Sequence, residues 1–255
     1  MTETLVIAAR FCGPPDSANG GYVCGRVAAY VDGPAEITLR RPPRLATPMT
    51  IESTEDGAVW LRDGDAVVAE GRRAPQNLPI ATPDPVSIAE ARAAGAGSLL
   101  RIQPEATPFP ACFACGPDRR PGDGLRVMVG PVAGRPLAAD VWYPDEALAD
   151  ADGCVLPEFL WAALDCAGGV GAIDNSVPSD LAFVLGRLAV RQLEPVQPDR
   201  PYVVVGWRVA EDGRKLTAGS AVFSAAGQHV ALAFATWIQL RADSAVRPKA
   251  TASRP

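Results

Sequence analysis

The segment 157-PEFLWAALDCAGGVGAI-173 limits the possible folds more than any other part of the chain. Pro157 suits the first position of a helix, where its missing N–H costs no hydrogen bond. The apolar residues after it go all the way round a helical wheel, so the helix has no face for water and must be enclosed by other elements. Within it, Asp165 is the only carboxylate between Phe159 and Ile173. A lone carboxylate is costly to bury unless it is paired or hydrogen-bonded.

An antiparallel sheet curled around its own helix would provide the enclosure, and the chain offers two such units. Residues 74–110 hold seven prolines and a weak Ala-rich helix near 86–96, and read as a connector. The expected organisation is an N-terminal half 1–75, a linker 76–110 with a short helix, a C-terminal half 111–243 and a disordered tail 244–255. The first half orders as a strand at 3–9, a helix at about 20–32, then strands at 35–41, 48–53, 57–63 and 65–73. The second has strands at 124–129 and 137–143, the helix 157–173, then strands at 186–193, 201–209, 214–224 and 228–240. ITLRRPPRLATPMTIES and LAVRQLEPVQPDRPYVVV repeat one design, a strand, a Pro-rich turn and a strand entered through Pro. The expected fold class is α+β, two antiparallel sheets each wrapped around a long central helix and forming one continuous sheet.

The first helix opens with Asn19-Gly20-Gly21 and carries Val23, Val27, Tyr30 and Val31 at helical spacing. NGGYVCGRVAAY at 19–30 resembles the first-half helix of double-hotdog acyl-CoA thioesterases of the thioesterase II type, which opens with Gly-Gly. LWAALDCAG at 160–168 resembles their second-half helix, which carries an acid. The stretch 112-CFACGPDRRPGDGLRV-127 is similar to a CF-x-CG…P-x-GL segment common in phenylacetate-type hotdog thioesterases. The resemblance implies a thioesterase acting on an acyl-CoA or acyl-carrier thioester.

Thioester hydrolysis needs a donor for negative charge on the carbonyl oxygen, and a base or nucleophile. A helix N-terminus offers free N–H groups, and glycine lets a carbonyl approach them. Gly21 N–H is the expected oxyanion donor, with Asn19 as second donor or N-cap and Gly20 beside the substrate. The plainer alternative is a capped helix packed tightly against its neighbour. Asp165 is the expected base, its pKa raised by burial; the alternative is a structural Asp held by backbone or by a cation such as Arg187, which is also a candidate substrate contact. The acyl group would run between the helices, bounded by Tyr22, Phe159 and Trp161. Ala28 stands where Asp165 has its counterpart, and Leu156-Pro157-Glu158 where Asn19-Gly20-Gly21 do. One composite site per chain is therefore expected, with Glu158 as a helix-dipole partner.

In the last strand, alternation puts Val230, Leu232, Phe234, Thr236, Ile238 and Leu240 on one face, which by its bulk is expected to meet the helix. Thr236 stands where the thioesterase II type has a catalytic Gln, and would orient a water for Asp165; a core threonine is the alternative. His229, the only histidine, would then lie on the opposite face from Thr236 unless a bulge intervenes, which disfavours a dyad with Asp165. Cys112 and Cys115 form a CxxC without a second pair or a nearby histidine, and Cys154 could join only through tertiary contact, so no metal is expected. Arg119 and Arg120 belong to a solvated loop.

The net charge of −5, with no Lys/Arg block, argues against nucleic-acid and anionic-membrane partners. No apolar run reaches the ~18 residues of a membrane span, and the acidic N-terminus with its short apolar stretch does not read as a signal peptide. The six cysteines are expected to be reduced and mostly buried in a cytoplasmic protein. No cofactor is called for, and several copies could assemble. Two other readings stay open, a non-catalytic acyl-CoA binder and a hotdog hydratase or dehydratase.

Overall fold

The structure is a computed structural model that describes residues 3–173 and 182–241; the expected tail 244–255 lies outside them. The first half contains β1 (Glu3–Val6), α1 (Gly20–Ala28), β2 (Ala35–Leu39), β3 (Pro48–Ser53), β4 (Val59–Asp63) and β5 (Ala66–Arg73). The connector folds into α2 (Ile88–Ala96) and the single turn α3 (Leu99–Ile102). The second half contains β6 (Gly130–Pro131), β7 (Ala138–Trp142), α4 (Pro157–Ile173), β8 (Phe183–Gln192), β9 (Tyr202–Asp212), β10 (Lys215–Ser224) and β11 (His229–Gln239). The class is α+β.

All strands join one antiparallel sheet in the order β1-β3-β4-β5-β2-β8-β11-β10-β9-β7-β6. The order β1-β3-β4-β5-β2 reappears as β7-β9-β10-β11-β8, so each half has the same topology. The halves meet where β2 pairs with β8, from Ala35 opposite Val190 to Thr38 opposite Arg187. The helix expected to be enclosed is enclosed: Phe159 to Gly169 of α4 are all buried. No helix among the described residues is long and apolar enough to cross a membrane.

Two expectations for the second half are corrected. Residues 124–129 do not form a strand. Their N–H groups are used elsewhere, Leu125 and Val127 donating to the carbonyls of Phe113 and Ala114 at 2.9 Å and Met128 to Asp140 Oδ2 at 2.8 Å. This ties the segment to the CxxC turn. In β11 the parity is reversed: Ala231, Ala233, Ala235 and Trp237 belong to the core around the helices, while Leu232 packs into a second cluster with Val203, Val205 and Phe223. That second cluster exists because α2 covers the outer face of the sheet through Ala91 and Ala94. With apolar cover on both faces, side-chain bulk does not identify the inner one. Small residues face α4 because the helix lies close.

Helices α1 and α4 cross at Gly21 and Gly25, one turn apart on α1. A Cβ on Gly25 would stand 2.5 Å from Glu158 Cα and 3.1 Å from Trp161 Cβ, and one on Gly21 would meet Trp161 O at 2.6 Å. The absent side chains set the helix separation. We expect Gly25→Ala to destabilise the protein by about 1–3 kcal/mol through overpacking, read as a lower urea midpoint at unchanged slope.

Candidate active site

Asn19 is the N-cap of α1, its Oδ1 accepting from Tyr22 N–H at 2.9 Å. This is the side-chain cap that leaves the first N–H groups of a helix oriented outward. The next free donor is already engaged: Gly21 N–H donates to Asp165 Oδ2 at 2.8 Å. The structure thus brings Gly21 and Asp165 together across the helix pair but corrects the role expected for Gly21. Its N–H serves the carboxyl and is not open to a substrate oxygen, because the close crossing lays Asp165 on the helix start. Among the described residues, no acceptor takes the Gly20 N–H.

Asp165 is 1% exposed. Burial pushes its pKa up to about 8; the Gly21 N–H opposes the rise and the nearby Cys112 adds to it. Its Oδ1 is buried without a hydrogen-bond partner. The other buried carboxylate, Asp140, is different. Its Oδ2 accepts from Arg101 Nη2 at 2.9 Å and Met128 N–H at 2.8 Å, and its Oδ1 accepts from Val141 N–H at 2.9 Å. Asp140 pins the connector and the 124–129 segment to β7. Asp165 pins the two helices with one oxygen and leaves the other free.

Asp165 lines a cavity of about 700 Å³, within the range of small-molecule sites. Asn19, Gly20, Asp165 and Cys166 line it, with Leu99 and Leu100 of the connector and Leu185, Trp237 and Ile238 from the sheet. Four buried polar side-chain atoms among the described residues have no partner, and three of them, Asp165 Oδ1, Ser98 Oγ and Trp237 Nε1, are on cavity-lining residues. Buried polar groups are ordinarily satisfied, and three of the four exceptions sit on residues of this one cavity. Arg40 and Arg41, both exposed, also line the cavity.

The other expected residues lie away from it. Tyr22 and Phe159 belong to an aromatic cluster with Phe11 and Phe113; the Phe11 and Tyr22 rings stack at 4.2 Å and the Tyr22 and Phe159 centroids are 5.7 Å apart. Trp161 is buried against Gly25 at the helix crossing. These three pack in the core and do not line the cavity. Thr236 opens on the outer face, next to Arg187, which is 3.2 Å from Thr38 Oγ1 and 3.6 Å from Glu36. Neither reaches Asp165. An extra residue at Val230 shifts the register, setting Phe223 opposite His229. His229 is therefore exposed against Phe223, at 4.7 Å, on the same outer face as Thr236. The bulge is the exception to the expected opposition of the two, and the histidine does not line the cavity. Glu158 lies 3.7 Å from Arg26.

No protein-family model matches the sequence. No curated protein matches it either. Solved structures do. An acyl-CoA thioesterase II of Mycobacterium marinum superposes over 95% of this chain and 94% of its own, with a TM-score of 0.60 at 13% identity. A conserved protein of Alicyclobacillus acidocaldarius, described as having a hotdog fold, gives 0.57 over 94% and 93% at 11% identity. The tesB protein of Mycobacterium avium subspecies paratuberculosis gives 0.56 over 94% and 93% at 13% identity. The chain has the hotdog fold. At these identities the likeness is one of architecture.

The raised pKa of Asp165 fixes a pH dependence of stability. In the unfolded chain the carboxyl ionises near its ordinary value of about 3.9, whereas the folded protein keeps the proton until about pH 8. Between those limits the unfolded state holds fewer protons, so stability falls as pH rises, by about 1.4 kcal/mol per pH unit. Above about pH 8 the loss is complete and level. Asp165→Asn removes the titration. Denaturant unfolding in reductant and chelator should show the variant's stability advantage growing from about pH 4 to about pH 8 and then holding constant. An advantage independent of pH would contradict the assignment.

Proposed function

We propose that the chain is a double hotdog, with halves 1–75 and 111–243 joined by 76–110, and hydrolyses an acyl-CoA or acyl-carrier thioester at one composite site. The observation that carries this reading is Asp165 itself. It is a buried carboxyl, oriented through one oxygen by Gly21 N–H, with the other oxygen unpartnered, on a residue that lines a cavity beside the start of α1. The fold shared with the M. marinum acyl-CoA thioesterase II supports the choice of reaction.

In this reading the thioester carbonyl lies at the start of α1, its oxygen toward the Gly20 N–H, where the helix dipole favours negative charge. Ionised Asp165 takes a proton from water through Oδ1 as the oxygen attacks the carbonyl carbon. The tetrahedral intermediate then collapses, the carbon–sulfur bond breaks and the proton passes to the leaving sulfur. Water has added across the thioester, giving acid and thiol. Arg40 and Arg41 place positive charge where the anionic carrier end of a CoA thioester would leave the cavity. Arg40 pairs with Glu70 at 2.7 Å; Arg41 has no ion pair among the described residues.

The pseudo-symmetric position lacks both parts, with Ala28 in place of the acid and Glu158 beside Arg26, which supports one site per chain. Hydrolysis of a panel of acyl-CoAs, followed by thiol release, tests the reading. Asp165→Ala should lower kcat by about 10²–10⁴, the usual contribution of a positioned base, with the fold intact by circular dichroism. CoA-ester binding without turnover in the unaltered protein would make the chain a binder instead. Arg41→Ala should raise KM for acyl-CoA about two- to fivefold with kcat little changed, as expected of an exposed charge.

A further inference from the structure

We propose that Cys112, Cys115 and Cys166 bind one thiophilic divalent cation, of the zinc type, with its fourth coordination position open to the cavity. The proposal does not rest on the thioesterase reading, because it concerns metal uptake alone.

The three Sγ atoms lie within 4.8 Å of one another, and Cys112 Sγ and Cys166 Sγ are 3.7 Å apart. Sulfurs held at about 2.3 Å around a tetrahedral zinc are separated by roughly 3.8 Å. A disulfide requires about 2.05 Å, and all three cysteines are free. The spacing is that of a ligand set, assembled by tertiary contact between the 112–116 turn and the middle of α4.

The surroundings hold the sulfurs in place. Asn19 Nδ2 is 3.7 Å from both Cys112 Sγ and Cys166 Sγ, and its orientation is fixed because Oδ1 accepts from Tyr22 N–H. The CxxC turn closes with Gly116 N–H donating to Cys112 O at 2.8 Å. A Cβ on Gly116 would stand 2.5 Å from Cys112 N and from Cys112 O, so the turn admits only glycine. Three sulfurs gathered at ligand spacing, with an amide donor held beside two of them, form a preorganised pocket for a thiophilic cation. Thiolates select soft ions of the zinc class over magnesium or calcium.

The three cysteines, Asn19 and Asp165 all line the same cavity. With three protein ligands, the fourth position faces that space and would take water or another exogenous donor, the pattern of open rather than closed zinc sites. Binding displaces the remaining thiol protons to solvent.

The test is titration of the reduced full-length chain with Co²⁺ under anaerobic conditions. The expected result is one Co²⁺ per chain, an intense sulfur-to-cobalt band in the near ultraviolet, visible bands of a tetrahedral site, and their loss on adding Zn²⁺. Cys166→Ser and Cys112→Ser should each abolish the sulfur-to-cobalt band or weaken Co²⁺ binding at least about tenfold, while Cys24→Ser leaves it unchanged. A reduced, folded chain that takes up neither Co²⁺ nor Zn²⁺ overturns the proposal. So does binding that survives in both Cys112→Ser and Cys166→Ser. If the same metal-inert chain forms a Cys112–Cys166 disulfide under mild oxidant, the cluster is a redox pair instead.

Discussion

The hydrogen bond from Gly21 N–H to Asp165 Oδ2 marks the close crossing of α1 and α4 on which the rest of the structure depends. It exists because α1 carries no side chain at the crossing, so that α4 can approach to where a backbone donor meets a carboxyl. It joins the two halves at their centre, as the β2–β8 pairing joins them at the sheet. It also explains how an acid survives in an otherwise apolar helix: one oxygen is satisfied, and the helix start supplies positive potential. Burial still wins, and the carboxyl keeps its proton to about pH 8. A group balanced there can change charge when a substrate or an ion alters its surroundings.

The cavity is the second consequence of that crossing. It lies between the start of α1 and the second half of α4, and is walled by the cap at Asn19, the sheet at Leu185 and Trp237, and the connector at Ser98 to Leu100. The connector is therefore more than a tether. On one side of the molecule α2 covers the sheet; further along, α3 lies over the cavity. Asp140 and Arg101 secure this arrangement at 2.9 Å. The two buried aspartates divide the work, one fully bonded to fix the connector and one left half-bonded at the cavity.

Much of this was legible in the residues, and the limits have physical causes. The all-round apolar pattern of 157–173 required an enclosed helix, and α4 occupies those residues. The repeated strand order followed from Pro-bounded apolar runs. The pairing of Asp165 with the Gly-Gly start was legible because a lone acid and bare backbone donors complement each other. The inner face of β11 was not, because α2 gives the outer face apolar cover and bulk lost its meaning as a signal. Tyr22, Phe159 and Trp161 looked like a binding wall only because aromatics suit both walls and cores; the ring contacts of Tyr22 and Phe159 with Phe11 and Phe113 and the packing of Trp161 on Gly25 come from distant segments. The third cysteine was hidden for the same reason. Cys166 is fifty-four positions from Cys112, and no local spacing reports that contact. Its one local signal was its place directly after Asp165.

Asn19 connects these features. Its oxygen caps α1 and so fixes the helix start that orients Asp165. Its nitrogen, left to point the other way, faces Cys112 and Cys166. An amide with both ends assigned cannot rotate without losing one of them. The position of the cap, the carboxyl and the sulfurs is thus a single geometric unit spanning both halves and the 112–116 turn. A serine or aspartate would cap the helix equally well, but neither carries a cap acceptor and an amide donor on the same side chain. What singles out asparagine at this position is the cluster of sulfurs behind it, not the helix in front.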